Sequence, residues 1–240
     1  MSFQGQRVAV IGGTSGIGLA VAQAALAPCA SVVVGSSSAA KVRAAQEQLA
    51  GAESLAIDVK DEASVVAFFE RVDALDHLVF TAGDWAMAGA GPITNLDVAA
   101  AASQFGVRFW GALTCVKHAV KRMRETGSIT LTDGTIAHRP RKGAALSSAM
   151  AGAVEHLGRA LAVDLAPIRV NVVCPGAIRT GVWDMIPAEQ REERFQNMFK
   201  RLPAKRIGEP SEVAEAYLYL MRGGYTTGQV LHVDGGAMVI

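Results

Sequence analysis

The chain alternates, along its whole length, short runs dense in Val and Ile with segments long enough for a helix. RVAVI, SVVVG, SLAID, DHLVFTAG, GSITLT, RVNVVCPG and QVLHVDGG read as strands, and helices begin near Ile17, Ala39, Glu62, Asp97, Ala144 and Ser211. Parallel strands need long crossovers, and helical crossovers cover both faces of the sheet, so the strands turn apolar throughout. The alternation predicts an α/β fold: a doubly wound, Rossmann-type parallel sheet of seven strands with helices on both faces. No linker rich in Pro, Gly or Ser divides it, so a single domain is expected over residues 1–240. In the last helix Ser211 is expected as the cap, with Val213, Tyr217, Leu220 and Met221 on the buried face and Gly223 and Gly224 ending it.

Composition narrows the classes of function. With 50% apolar and 19% charged residues the chain can bury a core, and disorder is excluded. A net charge of +1 gives no pull toward nucleic acid or an anionic membrane; the basic runs Lys117 to Arg124 and His138 to Lys142 read as solvated faces. Val8 to Ala40 carries no charge, but glycines, Gln23 and Pro28 break it into pieces too short to span a bilayer. Cys29, Cys115 and Cys174 cannot all pair and lack metal-ligand spacing, so no metal and a reducing, cytoplasmic setting are expected.

GGTSGIG, Gly12 to Gly18, lies between the first strand and the first helix. Glycines let the backbone approach a pyrophosphate, and a helix N-terminus offers it unpaired N–H groups and partial positive charge. About 20 residues on, an acidic side chain usually takes the ribose hydroxyls of NAD. Here stand Ser36, Ser37 and Ser38, followed by Lys41 and Arg43, which suit a 2′-phosphate. NADP(H) is favoured over NAD(H).

These motifs carry a resemblance. The chain is similar, over essentially its whole length, to the classical short-chain dehydrogenase/reductase (SDR) family. Gly12-Gly13-Thr14-Ser15-Gly16-Ile17-Gly18 matches TGxxxGIG with Ile11 in place of the leading Thr, Asp58-Val59 matches the adenine contact, and Thr81-Ala82-Gly83 stands where NAG is usual. Pro175-Gly176-Ala177-Ile178-Arg179-Thr180 matches the PGxIxT turn near the nicotinamide, and Thr227 to Gly236 resembles the closing strand. The resemblance implies cofactor binding by Gly12, Thr14, Ser15, Gly16, Ile17, Gly18, Ser36, Ser37, Ser38, Asp58, Val59, Thr81, Ala82, Gly83, Pro175, Gly176, Ile178 and Thr180. It also implies a homodimer or homotetramer.

Family members deliver a proton through a Tyr, a Lys four residues later, a Ser thirteen residues before the Tyr, and an Asn in the preceding long helix. Aligned on Gly152 to Asn171, these positions hold Ser147, Ala151, Gly134 and Arg108, and every tyrosine lies at or beyond Tyr217. An atypical member lacking all four residues is expected, its catalytic residues unknown. A serine hydroxyl lies far from the useful pKa range, although it can donate a hydrogen bond to a carbonyl. Ser147 and Ser148 also read as helix caps. Asp133 and Thr135 flank the Ser position, and His138 titrates in the right range or belongs to an exposed basic rim. Arg108 stays protonated and suits an anionic substrate or a reorganised water chain. Glu155 and His156 are expected on the helix surface or in a subunit contact.

Residues 179–208 resemble the family's substrate lid, and Trp183, Met185, Ile186, Phe195, Met198 and Phe199 make it apolar, in keeping with a small apolar or aromatic substrate. Trp85, Met87, Phe109 and Trp110 are further candidates for the cleft or a subunit interface. Three readings follow: an NADP(H)-dependent oxidoreductase acting on a carbonyl or alcohol by a non-standard proton path; a non-catalytic NADP(H)- or metabolite-binding sensor or partner protein; and a non-redox enzyme on the same scaffold.

Overall fold

A computed structural model describes residues 3–27, 30–84 and 91–240; Pro28, Cys29, Trp85 and Met87 lie outside them. Seven parallel strands, β1 (Arg7–Ile11), β2 (Ser31–Ser36), β3 (Glu53–Ala56), β4 (Leu75–Phe80), β5 (Met123–Thr132), β6 (Arg169–Pro175) and β7 (Val230–Val233), form one sheet in the order β3-β2-β1-β4-β5-β6-β7. The order reverses between β1 and β4, which leaves a crevice at their C-terminal ends, the place where such sheets bind ligands.

Alternate residues of each strand feed opposite faces. Ala9 and Ile11 of β1 join Leu78, Phe80, Ile129 and Leu131 in one buried cluster, while Val8 and Val10 join Val32, Val34 and Val79 in the other. The helices α3 (Glu62–Glu70), α5 (Ala112–Ala119) and α6 (Ala145–Asp164) contribute to the first layer, and α1 (Gly16–Leu26) and α8 (Pro210–Arg222) to the second. Helix α2 (Ala39–Gln48) joins β2 to β3 and buries Ala45 in the second layer.

Two helices depart from expectation. The segment beginning near Asp97 is not continuous: Asp97 caps a short α4 (Val98–Ala102), and a π-helical stretch, Gly106–Gly111, precedes α5. Gly111 packs so closely on Val59 that an added β-carbon would lie 2.7 Å from the Val59 Cγ2. In α8 the cap is Glu209, not Ser211. Glu209 and Glu212 form a reciprocal capping box and Pro210, whose missing N–H costs nothing there, occupies the first turn. The expected buried face, Val213, Tyr217, Leu220 and Met221, is buried. Among the described residues no helix is long and apolar enough to cross a membrane.

Candidate cofactor and active site

The glycine-rich loop lies at the reversal point of the sheet. Gly12 has φ +87°, its N–H donates to the Gly35 carbonyl at 2.8 Å, and a β-carbon there would lie 2.6 Å from the Ala82 nitrogen. At Gly18 a β-carbon would collide with the Gly12 carbonyl and the Thr81 hydroxyl. The loop is therefore pressed onto the segment after β4. Thr81 anchors that segment, its N–H and hydroxyl both donating to the Ile11 carbonyl at 2.8 and 3.1 Å. Ser15 precedes α1 in extended conformation and makes no side-chain cap, so its hydroxyl is not committed to the helix. Gly16 faces Thr180, whose Cγ2 is 3.3 Å from a β-carbon built at residue 16, so the PGxIxT turn meets the glycine loop across the crevice.

The three serines after β2 differ. Ser36 Oγ accepts from the Ser38 N–H and Ser38 Oγ caps α2 by accepting from the Lys41 N–H, both at 3.3 Å, while Ser37 is exposed. Asp58 turns its carboxylate back to the Lys60 N–H at 3.0 Å, and Val59 is buried. At the other end, the Gly176 N–H donates to the Val233 carbonyl at 3.0 Å, and Ile178 bridges to Gly208. These loops together fit a dinucleotide, since the close backbone packing at Gly12 and Gly18 sets the start of α1 against the segment after β4 at the reversal point of the sheet.

The four aligned positions fall on three elements: Arg108 in the π-helical stretch, Gly134 before the turn Thr135–Ala137, and Ser147 and Ala151 on α6. Ser147 and Ser148 lie inside α6, whose N-terminal boundary is Ala144, so neither caps it. Ser148 Oγ donates to the Ile136 carbonyl at 2.8 Å. Ser147 is half-buried and, among the described residues, its hydroxyl makes no hydrogen bond. Ala151 is buried. Arg108, in the π-helical stretch, lies over Gly83: a β-carbon at residue 83 would meet its guanidinium nitrogens at 2.8 and 2.9 Å. Burial pulls the Arg108 pKa down, and Asp84 and then Asp133 oppose the shift. π-helical turns recur at functional sites because they redirect one side chain out of register. Tyr217 is wholly enclosed and bonds the Thr132 hydroxyl at 2.7 Å, and burial raises its pKa.

Glu155 was expected on the surface but is buried, 3% exposed. It shares a helix face with Ala151 and Gly158, and Gly158 packs directly on Val172. Its Oε1 lies 2.5 Å from His138 Nε2, so His138 is a partner of a buried carboxylate and not part of a free basic rim; His156 is exposed as expected. Asp133 is also 3% exposed, and neither of its oxygens has a hydrogen bond of ordinary geometry. Burial, reinforced by neighbouring Glu155, raises its pKa.

Residues 179–208, expected as a lid, contain a 3₁₀ turn, Gly181–Met185, followed by α7 (Ala188–Arg201). Trp183 Nε1 donates to the Ile178 carbonyl at 2.7 Å, and its ring meets Phe195 edge-on with centroids 5.1 Å apart. Phe195 is buried, while Met185 is 62% exposed. The chain after α7 rests on the glycines after β7: the Ala204 N–H donates to the Gly235 carbonyl at 3.1 Å, and a β-carbon at Gly236 would lie 2.6 Å from Pro203.

Comparison with known proteins agrees with this architecture. Residues 11–238 match the family model described as enoyl-(acyl carrier protein) reductase. The short-chain dehydrogenase/reductase ucsE of an Acremonium species is 36% identical, the match covering 97% of this chain and 95% of that protein. The short-chain dehydrogenase/reductase malC of Malbranchea aurantiaca is 33% identical, covering 99% and 96%. The solved structure of MalC Reductase/Diels-Alderase from that organism superposes with a TM-score of 0.91 at 32% identity, over 99% of this chain and 98% of that one. A small-chain dehydrogenase crystallised in complex with NADPH superposes with a TM-score of 0.85 at 35% identity, over 98% and 99%. By sequence, sheet order and glycine loop alike, the chain belongs to the short-chain dehydrogenase/reductase family of oxidoreductases.

Proposed function

We propose that this chain is an NADP(H)-dependent oxidoreductase acting on a carbonyl or alcohol substrate, with a proton path that uses neither a tyrosine nor a lysine. The observation that carries the reading is the glycine loop at the reversal point of the sheet, where Gly12 and Gly18 are pressed onto neighbouring backbone with no space for a β-carbon; among the described residues, the Ser147 hydroxyl makes no hydrogen bond. The NADPH found with a relative of 35% identity supports the choice of cofactor.

Gly12, Thr14, Ser15, Gly16, Ile17 and Gly18 hold the pyrophosphate at the start of α1. Ser36 and Ser37, with Lys41 and Arg43, receive the 2′-phosphate, and Ser38 fixes the start of α2 beside them. Asp58 and Val59 flank the adenine. Thr81, Ala82 and Gly83 support the ribose, and Pro175, Gly176, Ile178 and Thr180 hold the nicotinamide end. NADPH, when bound, supplies the hydride. Ser147 donates a hydrogen bond to the substrate oxygen, Arg108 contributes fixed positive charge to it, and water delivers the proton. Residues 179–208 close over a small, largely apolar substrate. Loss of a dedicated general acid typically removes about 100-fold to 10,000-fold of rate, so turnover is slow and favours activated carbonyls.

Titration with NADPH and NADH, followed by single-turnover oxidation of bound NADPH against a panel of carbonyls, tests this. Tighter binding of NADPH with slow turnover is expected; binding of neither cofactor overturns the reading. The second reading, a non-catalytic NADP(H)-binding protein, is favoured by Ala151 and Gly134, which offer no proton relay. It predicts tight binding with no turnover on any carbonyl.

A further inference from the structure

Four separated elements bring metal-binding side chains to one point below α6. Cys174 of β6 stands in register with His232 of β7, so both side chains leave the same face of the sheet. Glu155 descends from α6, and His138 arrives from the turn after β5. The Glu155 carboxylate, Cys174 Sγ and one ring nitrogen from each histidine all lie within 4.8 Å of one another. The two imidazoles meet edge-on with centroids 4.9 Å apart.

We propose that His138, Glu155, Cys174 and His232 bind one divalent transition metal ion of the zinc class, as a structural clamp between α6 and strands β6 and β7. Two imidazoles, a thiolate and one carboxylate form a donor set suited to zinc and unsuited to magnesium or calcium, which take oxygen ligands. Zinc bonds of about 2.0–2.3 Å in a tetrahedron place ligand atoms roughly 3.3–3.8 Å apart, so closure needs movements of about 1 Å or less. Both histidines are exposed enough to admit an ion, while Glu155 and Cys174 are buried.

A second observation points the same way. Asp133 follows β5, its N–H donating to the Val173 carbonyl, and its carboxylate, in a residue only 3% exposed, has no hydrogen bond of ordinary geometry and neighbours Glu155 and Cys174. Two adjoining buried carboxylates are costly without compensating charge. Glu155 is faced by His138 at 2.5 Å and by Arg159 at 3.8 Å, while Arg108 serves Asp133 and Asp84 together. A divalent ion neutralises Glu155 and the Cys174 thiolate, and Asp133 then stands behind the ligands, where an outer carboxylate orients them. On binding, the Cys174 thiol releases its proton to solvent and Glu155 exchanges its contact with His138 for the metal. The ion, one carboxylate and one thiolate sum to zero charge.

Cobalt(II) chloride and zinc chloride, added separately to the metal-free full chain, test the proposal. One cobalt ion per chain with a thiolate-to-metal absorption band is expected, together with a zinc-dependent rise in Tm of roughly 5 °C at saturation. Cys174→Ser removes the band and Cys115→Ala keeps it. The double variant His138→Gln/His232→Gln, changed at partly exposed positions, folds without metal and loses both the band and the zinc-dependent rise. Sub-stoichiometric binding, a band that survives Cys174→Ser, or a zinc response retained by the double histidine variant overturns the site. Because these readouts need neither cofactor nor turnover, they stand or fall apart from the proposed oxidoreductase activity.

Discussion

Ser148 donates its hydroxyl hydrogen to the Ile136 carbonyl across 2.8 Å, tying α6 to the turn after β5, while the preceding Ser147 is left with an uncommitted hydroxyl. The two neighbours should therefore fail differently. Ser148→Ala is expected to lower stability by about 1 kcal/mol, the net worth of one hydrogen bond, with little change in single-turnover rate. Ser147→Ala should leave Tm unchanged and reduce the hydride-transfer rate on the order of 100-fold, as removal of one donor to a developing oxyanion does. Paired thermal melts and stopped-flow NADPH oxidation separate them, and equal rates for Ser147→Ala and the parent would remove Ser147 from the mechanism.

The contact between the glycine loop and the segment after β4 makes residue 18 intolerant of any side chain. Gly18→Ala forces a methyl into the Gly12 carbonyl and the Thr81 hydroxyl, with an expected cost of roughly 1–3 kcal/mol and loss of NADPH binding. Gly224→Ala, where an added β-carbon meets nothing within 4 Å, is the control and should bind NADPH as the parent does. Calorimetry with isothermal titration reads both quantities.

Cofactor choice should turn on Ser37, the serine whose side chain is exposed and takes no part in capping α2. Ser37→Asp places a carboxylate where a 2′-phosphate is proposed to lie and should weaken NADPH relative to NADH by about tenfold or more. Ser38→Ala, by contrast, removes the α2 cap and should cost about 1 kcal/mol of stability. An unchanged NADPH to NADH affinity ratio in Ser37→Asp would place the 2′-phosphate elsewhere.

Acid sensitivity should centre on His77, held between Ser128 at 2.8 Å and Gln6 at 3.3 Å and only 2% exposed. Burial lowers its pKa from 6.5 to about 4, while Asp76 raises it and Arg169 lowers it further. The folded state resists protonation, so the unfolded chain binds more protons between these values. The contribution is fully present above pH 6.5 and lost as pH falls through about 4, amounting to about 3 kcal/mol. Urea denaturation across this window should show the loss in the parent and a flatter profile in His77→Asn.

The sheet was legible because its strands are apolar on both sides, and each expected strand run overlaps a strand of the fold, although β5 begins four residues before its run. The glycine loop was equally legible, since its spacing states its geometry. The break before α5 was not: helical periodicity carries through Gly106–Gly111, and only the packing of Gly111 on Val59 explains the close approach there. Glu155 could have been found, because it lies four residues after Ala151 and three before Gly158 on one helix face. Its companions could not, since His138, Cys174 and His232 come from a turn and two strands that meet only through tertiary folding.

The seating of Pro203 and Ala204 on Gly235 and Gly236 has a practical consequence for reshaping specificity. The end of the proposed lid packs on a glycine pair some thirty residues further along the chain. Mutant libraries aimed at new substrates should sample that pair alongside the cleft walls, because a change there can tilt the proposed lid from a distance along the chain.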